Sequence, residues 1–197
     1  MGLDTNGYLK FSEAAVRPIR RCRGSCEEDR LDGIADLLTR ARGATVFDIG
    51  CNRGLVAKLF ADNGAARVMG CDIDQDCITV ARHIFADRRA TPHRFEVVDL
   101  TGGPGAVQEA FGAKQASWKH DIVLMLATYH KMARILSPRD LYSLMVYVGS
   151  ITDKFFGWRG YEEELKALDK ALGEAGLRRV HTSTLSELEP AAIWARK

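Results

Sequence analysis

No apolar run in the 197-residue chain approaches the ~20 residues that a membrane span needs, so no spanning helix is expected. The first residues, Met1-Gly2-Leu3-Asp4-Thr5-Asn6, show neither a positive n-region nor an apolar h-region. A secretory signal is therefore not expected, and the cytoplasm is the expected compartment. Strong charge of one sign is missing too. Counting 28 Lys and Arg against 26 Asp and Glu leaves +2, too little to require a polyanionic partner. Arg17, Arg20, Arg21 and Arg23 form a local basic cluster, which reads first as a solvated face. A disulfide framework is absent, because the five cysteines, at positions 22, 26, 51, 71 and 77, are an odd number at irregular spacing. Reduced thiols follow. Cys22 and Cys26 lack a second Cys or His pair at ligand spacing, so no metal is expected. Internal repeats, low-complexity tracts and linkers are also lacking, and the length leaves room for one domain.

What is there is an ordinary globular balance, with 46% hydrophobic and 27% charged residues. Residues 1–30 are polar and weakly periodic; Leu31, Ile34, Leu37 and Leu38 then repeat at helical spacing until Gly43. Residues 1–43 thus read as a lead-in with one amphipathic helix, and 44–197 as the main domain. From residue 45 the pattern alternates. Apolar strands are expected at 45–49, 67–71, 94–98, 121–126 and 151–158, with helices near 55–60, 77–85, 107–111, 138–148 and 162–175. Such alternation gives an α/β fold with a mostly parallel sheet covered on both faces. Strands at 177–182 and 191–195 bring the count to seven, and their closeness predicts an antiparallel hairpin at the sheet edge.

The most informative segment is Val46-Phe47-Asp48-Ile49-Gly50-Cys51-Asn52-Arg53-Gly54. It leaves an acid near the end of a strand and enters a helix through two glycines, which allow backbone to approach a ligand. Val68-Met69-Gly70-Cys71-Asp72-Ile73-Asp74 ends a second strand in a carboxylate 24 residues after Asp48, the usual place to hold the two hydroxyls of a ribose. Phe95-Glu96-Val97-Val98-Asp99-Leu100 ends a third strand with another acid, placed to meet an adenine amino group.

In these motifs, over residues 44–130, the chain resembles the class I S-adenosylmethionine-dependent methyltransferases; beyond them only the order of elements is alike. The resemblance implies a three-layer Rossmann-like sandwich, S-adenosyl-L-methionine as cofactor, and methyl transfer as activity. It implies that Asp48, Gly50, Cys51 and Gly54 line the methionine part, Asp72 and Ile73 the ribose and adenine edge, and Asp99 and Leu100 the adenine, with Leu126 and Ala127 closing the pocket. Where the family commonly has a third glycine this chain has Asn52, a residue that tolerates positive φ. A dinucleotide enzyme is the nearest rival. Its Gly-x-Gly-x-x-Gly spacing differs from Asp48-x-Gly-x-x-x-Gly here, and a carboxylate beside a pyrophosphate would repel it.

Methyl transfer depends mainly on alignment of the nucleophile. After the fourth strand comes Ala127-Thr128-Tyr129-His130-Lys131. His130 is the candidate general base, with a structural hydrogen-bonding role as its alternative; Tyr129 either shapes the pocket or is a core aromatic. Arg159 is a candidate grip for an anionic acceptor, although Phe155 and Phe156 read as core and Arg159 as surface. Tyr8, Lys10, Phe11 and the arginines at 17–23 are candidates for a lid over the acceptor. No Asn-Pro-Pro-Tyr signature and no appended RNA-binding domain is present, which favours a small-molecule or glycan acceptor. Two alternatives stand beside it: an RNA (tRNA) modifying enzyme whose arginines contact phosphate, and a noncatalytic S-adenosylmethionine-binding partner subunit.

Overall fold

The computed structural model describes residues 31–88, 90–112, 118–183 and 190–196; the basic cluster, Cys22, Cys26 and the candidate lid residues lie outside them. Seven strands form one sheet: β1 (Thr45–Ile49), β2 (Arg67–Asp72), β3 (His93–Val97), β4 (His120–Leu126), β5 (Thr152–Arg159), β6 (Leu177–Thr182) and β7 (Ala191–Arg196). Their order is β3-β2-β1-β4-β5-β7-β6. The first five pair in parallel, while β7 runs antiparallel between β5 and β6. The expected fold class and C-terminal hairpin are therefore present, with β6 as the outer strand.

Helices α1 (Asp36–Thr39), α2 (Leu55–Asp62) and α3 (Gln75–Phe85) share one hydrophobic core with one sheet face; α4 (Gly103–Phe111), α5 (Tyr129–Ala133), α6 (Pro138–Ile151) and α7 (Leu165–Glu174) share the core of the other. Local chemistry fixes the helix starts. Asp74 caps α3 by accepting from the Asp76 and Cys77 N–H groups, and Ser137 caps α6 ahead of Pro138. Because β1 is followed by a helix on one face and β4 by helices on the other, strand order reverses between β1 and β4. Their carboxyl ends splay there and leave a crevice.

Two elements differ from the sequence pattern. The helical spacing at 31–43 yields only the four-residue α1, since Gly33 adopts φ +84° and a Cβ there would lie 2.5 Å from Ser183 Cβ. The segment still seals the core: Leu37 is fully buried, and Gly157 on β5 lacks the Cβ that would meet Leu37 Cδ1 at 2.6 Å. The second difference is α5, in a stretch to which the sequence pattern assigned no element. Among the described residues no helix is long and apolar enough to cross a membrane.

At the amino end of β4, His120 is 2% exposed, stacked on Phe47 and edge-on to Trp118, with neither ring nitrogen hydrogen-bonded. Burial, reinforced by the Arg67 charge, pushes its pKa down to about 4. The unfolded chain takes up this proton near pH 6.5 and the folded chain only near 4, so stability is lost as pH falls through that window. The loss is on the order of 3 kcal/mol. In urea unfolding, the stability difference between wild type and His120→Phe should move by about that amount in the variant's favour between pH 6.5 and 4; a pH-independent difference would show that His120 does not titrate as an isolated buried ring.

Candidate active site

A cleft of about 260 Å³ opens at the carboxyl ends of β1, β2, β3 and β4. Its floor is Gly50 and Asn52 of the turn after β1 and Leu126 of β4. Asp72 and Ile73 form one side, Asp99, Leu100 and Thr101 another. Thr128, Lys131, Met132 and Ile135 close it from α5 and the residues flanking that helix. The cleft therefore lies at the switch in strand order, where an open α/β sheet binds its ligand.

Asp72 organises this region. Its Oδ2 accepts the Asn52 N–H at 2.8 Å and its Oδ1 the Asp74 N–H at 3.1 Å, so one carboxylate ties the turn after β1 to the turn after β2. Each oxygen keeps a second lone pair for a ligand hydroxyl. Asn52 takes φ +49°, as expected of an Asn replacing glycine, and its Oδ1 accepts from Arg53 N–H. Asp99 accepts from both the N–H and the hydroxyl of Thr101, which hold its carboxyl below the usual range. Asp99 is therefore anionic near neutrality.

Gly50 takes φ +76°, and a Cβ on it would lie 2.2 Å from Thr128 Oγ1. Thr128 is brought there by Ala127, a non-glycine residue at φ +53°, whose N–H bonds to Arg159 O while the Thr128 hydroxyl donates to Leu126 O. Positive φ at an alanine is strained. Here it turns the chain out of β4 and sets the hydroxyl against the glycine.

Of the expected cofactor residues, Gly50, Asn52, Asp72, Ile73, Asp99, Leu100 and Leu126 line this cleft. Asp48, Cys51 and Gly54 lie outside its lining. Asp48 is 2% exposed on β1, between Gly70 of β2 and Leu124 of β4. Cys51 Sγ packs toward Gly70, and burial with the neighbouring Asp48 charge raises its thiol pKa well above the ordinary value. Gly54 starts α2 in the left-handed region, where a Cβ would meet Ala81 Cβ at 2.9 Å. Tyr129 is buried on the far side of α5, and the half-buried His130 ring stands 4.9 Å from Tyr161. Arg159, expected at the surface, is 8% exposed at the end of β5. Thr128, Lys131, Met132 and Ile135 are residues the sequence reading missed; their i, i+3, i+4, i+7 spacing was the signal.

A sheet with this switch-point cleft and acids after β2 and β3 defines a Rossmann-like nucleotide-cofactor protein. Residues 46–139 match the methyltransferase-domain family. It is 36% identical over 86 residues to a ubiquinone biosynthesis O-methyltransferase of Neisseria meningitidis serogroup C, covering 36% of this chain and 34% of that protein. Over 48 residues it is 46% identical to ribosomal protein L11 methyltransferase of Burkholderia mallei, covering 24% of this chain and 16% of that one. The matches thus span about a third and a sixth of these relatives. The fold is similar to magnesium protoporphyrin IX methyltransferase from Synechocystis with bound S-adenosylmethionine, with TM-score 0.61 and 18% identity, covering 87% of this chain and 79% of that one. It is also similar to an amino pentose methyltransferase from Micromonospora echinaspora, with TM-score 0.63 and 12% identity, covering 89% and 93%.

The Gly50–Thr128 contact makes the turn testable without any ligand. Gly50→Ala should cost roughly 2–4 kcal/mol through positive φ and overlap with the hydroxyl. Adding Thr128→Ala, which removes Oγ1, should recover about 1 kcal/mol or more in a double-mutant cycle. Strictly additive effects would show that the two residues do not touch.

Proposed function

We propose that this chain is an S-adenosylmethionine-dependent methyltransferase whose acceptor is a small molecule or glycan, acting in the cytoplasm with its thiols reduced. The observation that carries the reading is the Asp72 carboxylate, fixed by the Asn52 and Asp74 N–H groups on the wall of a cleft floored by Gly50. The residues fit the cofactor. S-adenosylmethionine bears an ammonium, a sulfonium, a ribose diol and an adenine, and the lining supplies two carboxyl groups with the apolar side chains Ile73 and Leu100. A dinucleotide would bring a pyrophosphate toward those carboxylates, an unfavourable match.

In this reading Asp72 accepts from the ribose hydroxyls, Ile73 and Leu100 cover the adenine, and Asp99 meets its edge. Gly50 and Asn52 present backbone to the methionine portion, with Asp48, Cys51 and Gly54 supporting the same turn from below. When bound, the cofactor supplies an electrophilic methyl group on sulfur. The chain's own work is alignment, dehydration and proton acceptance. His130, at the start of α5 against Tyr161, is proposed as the base that takes the acceptor's proton, and Tyr129 shapes the wall behind it.

Titration calorimetry with S-adenosylmethionine and S-adenosylhomocysteine tests the reading. Asp72→Ala should weaken both by roughly 2–4 kcal/mol; unchanged affinity in a folded variant would remove Asp72 from the site. Once an acceptor is identified, His130→Ala should keep cofactor affinity and lose on the order of 100-fold in turnover. Similar turnover in the two proteins would make His130 structural.

A further inference from the structure

With the cofactor on the Asp72 and Asp99 side of the cleft, the opposite wall is left to the acceptor: Thr128, Lys131, Met132 and Ile135. Helical turns build that wall. The Lys131 and Met132 N–H groups donate to Thr128 O at 3.1 and 3.2 Å, and the Ile135 N–H to Met132 O at 3.0 Å. Lys131 and Ile135 therefore stand one turn apart on one face. Thr128 and Met132 are buried and give the wall its depth, whereas Lys131 and Ile135 are exposed and form its mouth.

Two features of this mouth point to a ligand. Ile135 is 68% exposed and Ile73, on the other side of the cleft, 64%, the highest values among the large hydrophobic side chains of the described residues. Scattered exposed apolar residues are ordinary, but two in one cleft leave apolar surface that a bound molecule would remove from water. Beside Ile135, Lys131 is the one basic side chain of the lining. The two acids opposite it are held by other donors, Asp72 by the Asn52 and Asp74 N–H groups and Asp99 by Thr101. Among the described residues the Lys131 side chain makes no ion pair or hydrogen bond, so its donors remain available to a ligand.

We propose that Lys131 and Ile135 select the acceptor, and that the acceptor is a small apolar carboxylic acid whose carboxylate meets Lys131 while its apolar body lies on Ile135 at the mouth of the cleft. Calling this ligand the acceptor rests on the methyltransferase reading. The spacing suits such a molecule, since side chains one turn apart start from Cβ atoms about 5–6 Å apart, the reach of a carboxylate and the ring that bears it. A neutral molecule of the same shape gains only the Ile135 contact, and a cationic one is opposed by Lys131.

The test is titration calorimetry of the full chain, saturated with S-adenosylhomocysteine, using 1-naphthoate and its neutral counterpart 1-naphthamide. Wild type should bind the acid roughly tenfold or more tighter than the amide. Lys131→Met should bring the acid to the level of the amide, and Lys131→Arg should keep most of the preference; Lys131→Gln repeats the first arm if the methionine variant does not melt cooperatively. Ile135→Ser should weaken both probes about threefold or more and leave their ratio unchanged. S-adenosylhomocysteine affinity should be the same in wild type and every variant. Equal affinity for acid and amide in wild type, binding of neither, a preference that survives Lys131→Met, or an Ile135→Ser variant with unchanged affinities overturns the proposal. So does weaker S-adenosylhomocysteine binding in Lys131→Met, which would give the lysine to the cofactor's own carboxylate. If wild type binds no S-adenosylhomocysteine, the cofactor reading fails by itself, and the same two probes titrated into the chain alone decide the roles of Lys131 and Ile135 by the same criteria.

Discussion

The site depends on one carboxylate doing two jobs. Asp72 must hold the Asn52 N–H at 2.8 Å, which draws the turn after β1 over the end of β2, and it must keep lone pairs directed into the cleft. A hydrogen bond to a charged acceptor contributes about 1.5–3 kcal/mol when partly shielded from water, enough to keep Asn52 at its positive φ. Sheet order then places everything else. With β1 between β2 and β4, the Asp72 turn and the Thr128 turn face each other across Gly50, the residue with no side chain between them.

Strain and close packing serve the same geometry. Ala127 and Asn52 hold positive φ without being glycine; Asn52 lines the cleft, and Ala127 joins two residues that do, Leu126 and Thr128. Such conformations persist when the surroundings over-determine them. Here β4 is hydrogen-bonded on both sides, to β1 and β5, and the Ala127 N–H is anchored to Arg159 O, so the bend after Leu126 is locked from the sheet outward. The cleft's walls are therefore set by the core rather than by its ligand, the arrangement that alignment-driven chemistry requires.

Much of this was legible in the sequence because strand ends are. Gly50, Asp72 and Asp99 follow buried apolar runs, and a residue just past a parallel strand has few places to go. Asp48 precedes the last residue of β1, and the pleat buries it between Gly70 of β2 and Leu124 of β4. Helix α5 was hidden because five residues, entered through the positive-φ turn at Ala127, give a pattern too short to separate from a loop. The lead-in helix was overread, since apolar spacing at 31–38 reports burial whether or not the backbone coils continuously, and Gly33 interrupts it. That Thr128, Lys131, Met132 and Ile135 face Asp72 and Asp99 needed coordinates, because those acids end strands far away in sequence.

The central claim is that the cleft between Asp72, Asp99 and α5 holds the cofactor. Backbone amide NMR of the labelled chain titrated with S-adenosylhomocysteine tests it most directly. The account predicts shifts concentrated at Gly50 and Asn52, Asp72 and Ile73, Asp99 to Thr101, and Thr128 to Ile135, with β6 and the far ends of α6 and α7 unmoved. Shifts centred away from these residues, or none at saturating ligand, would contradict it.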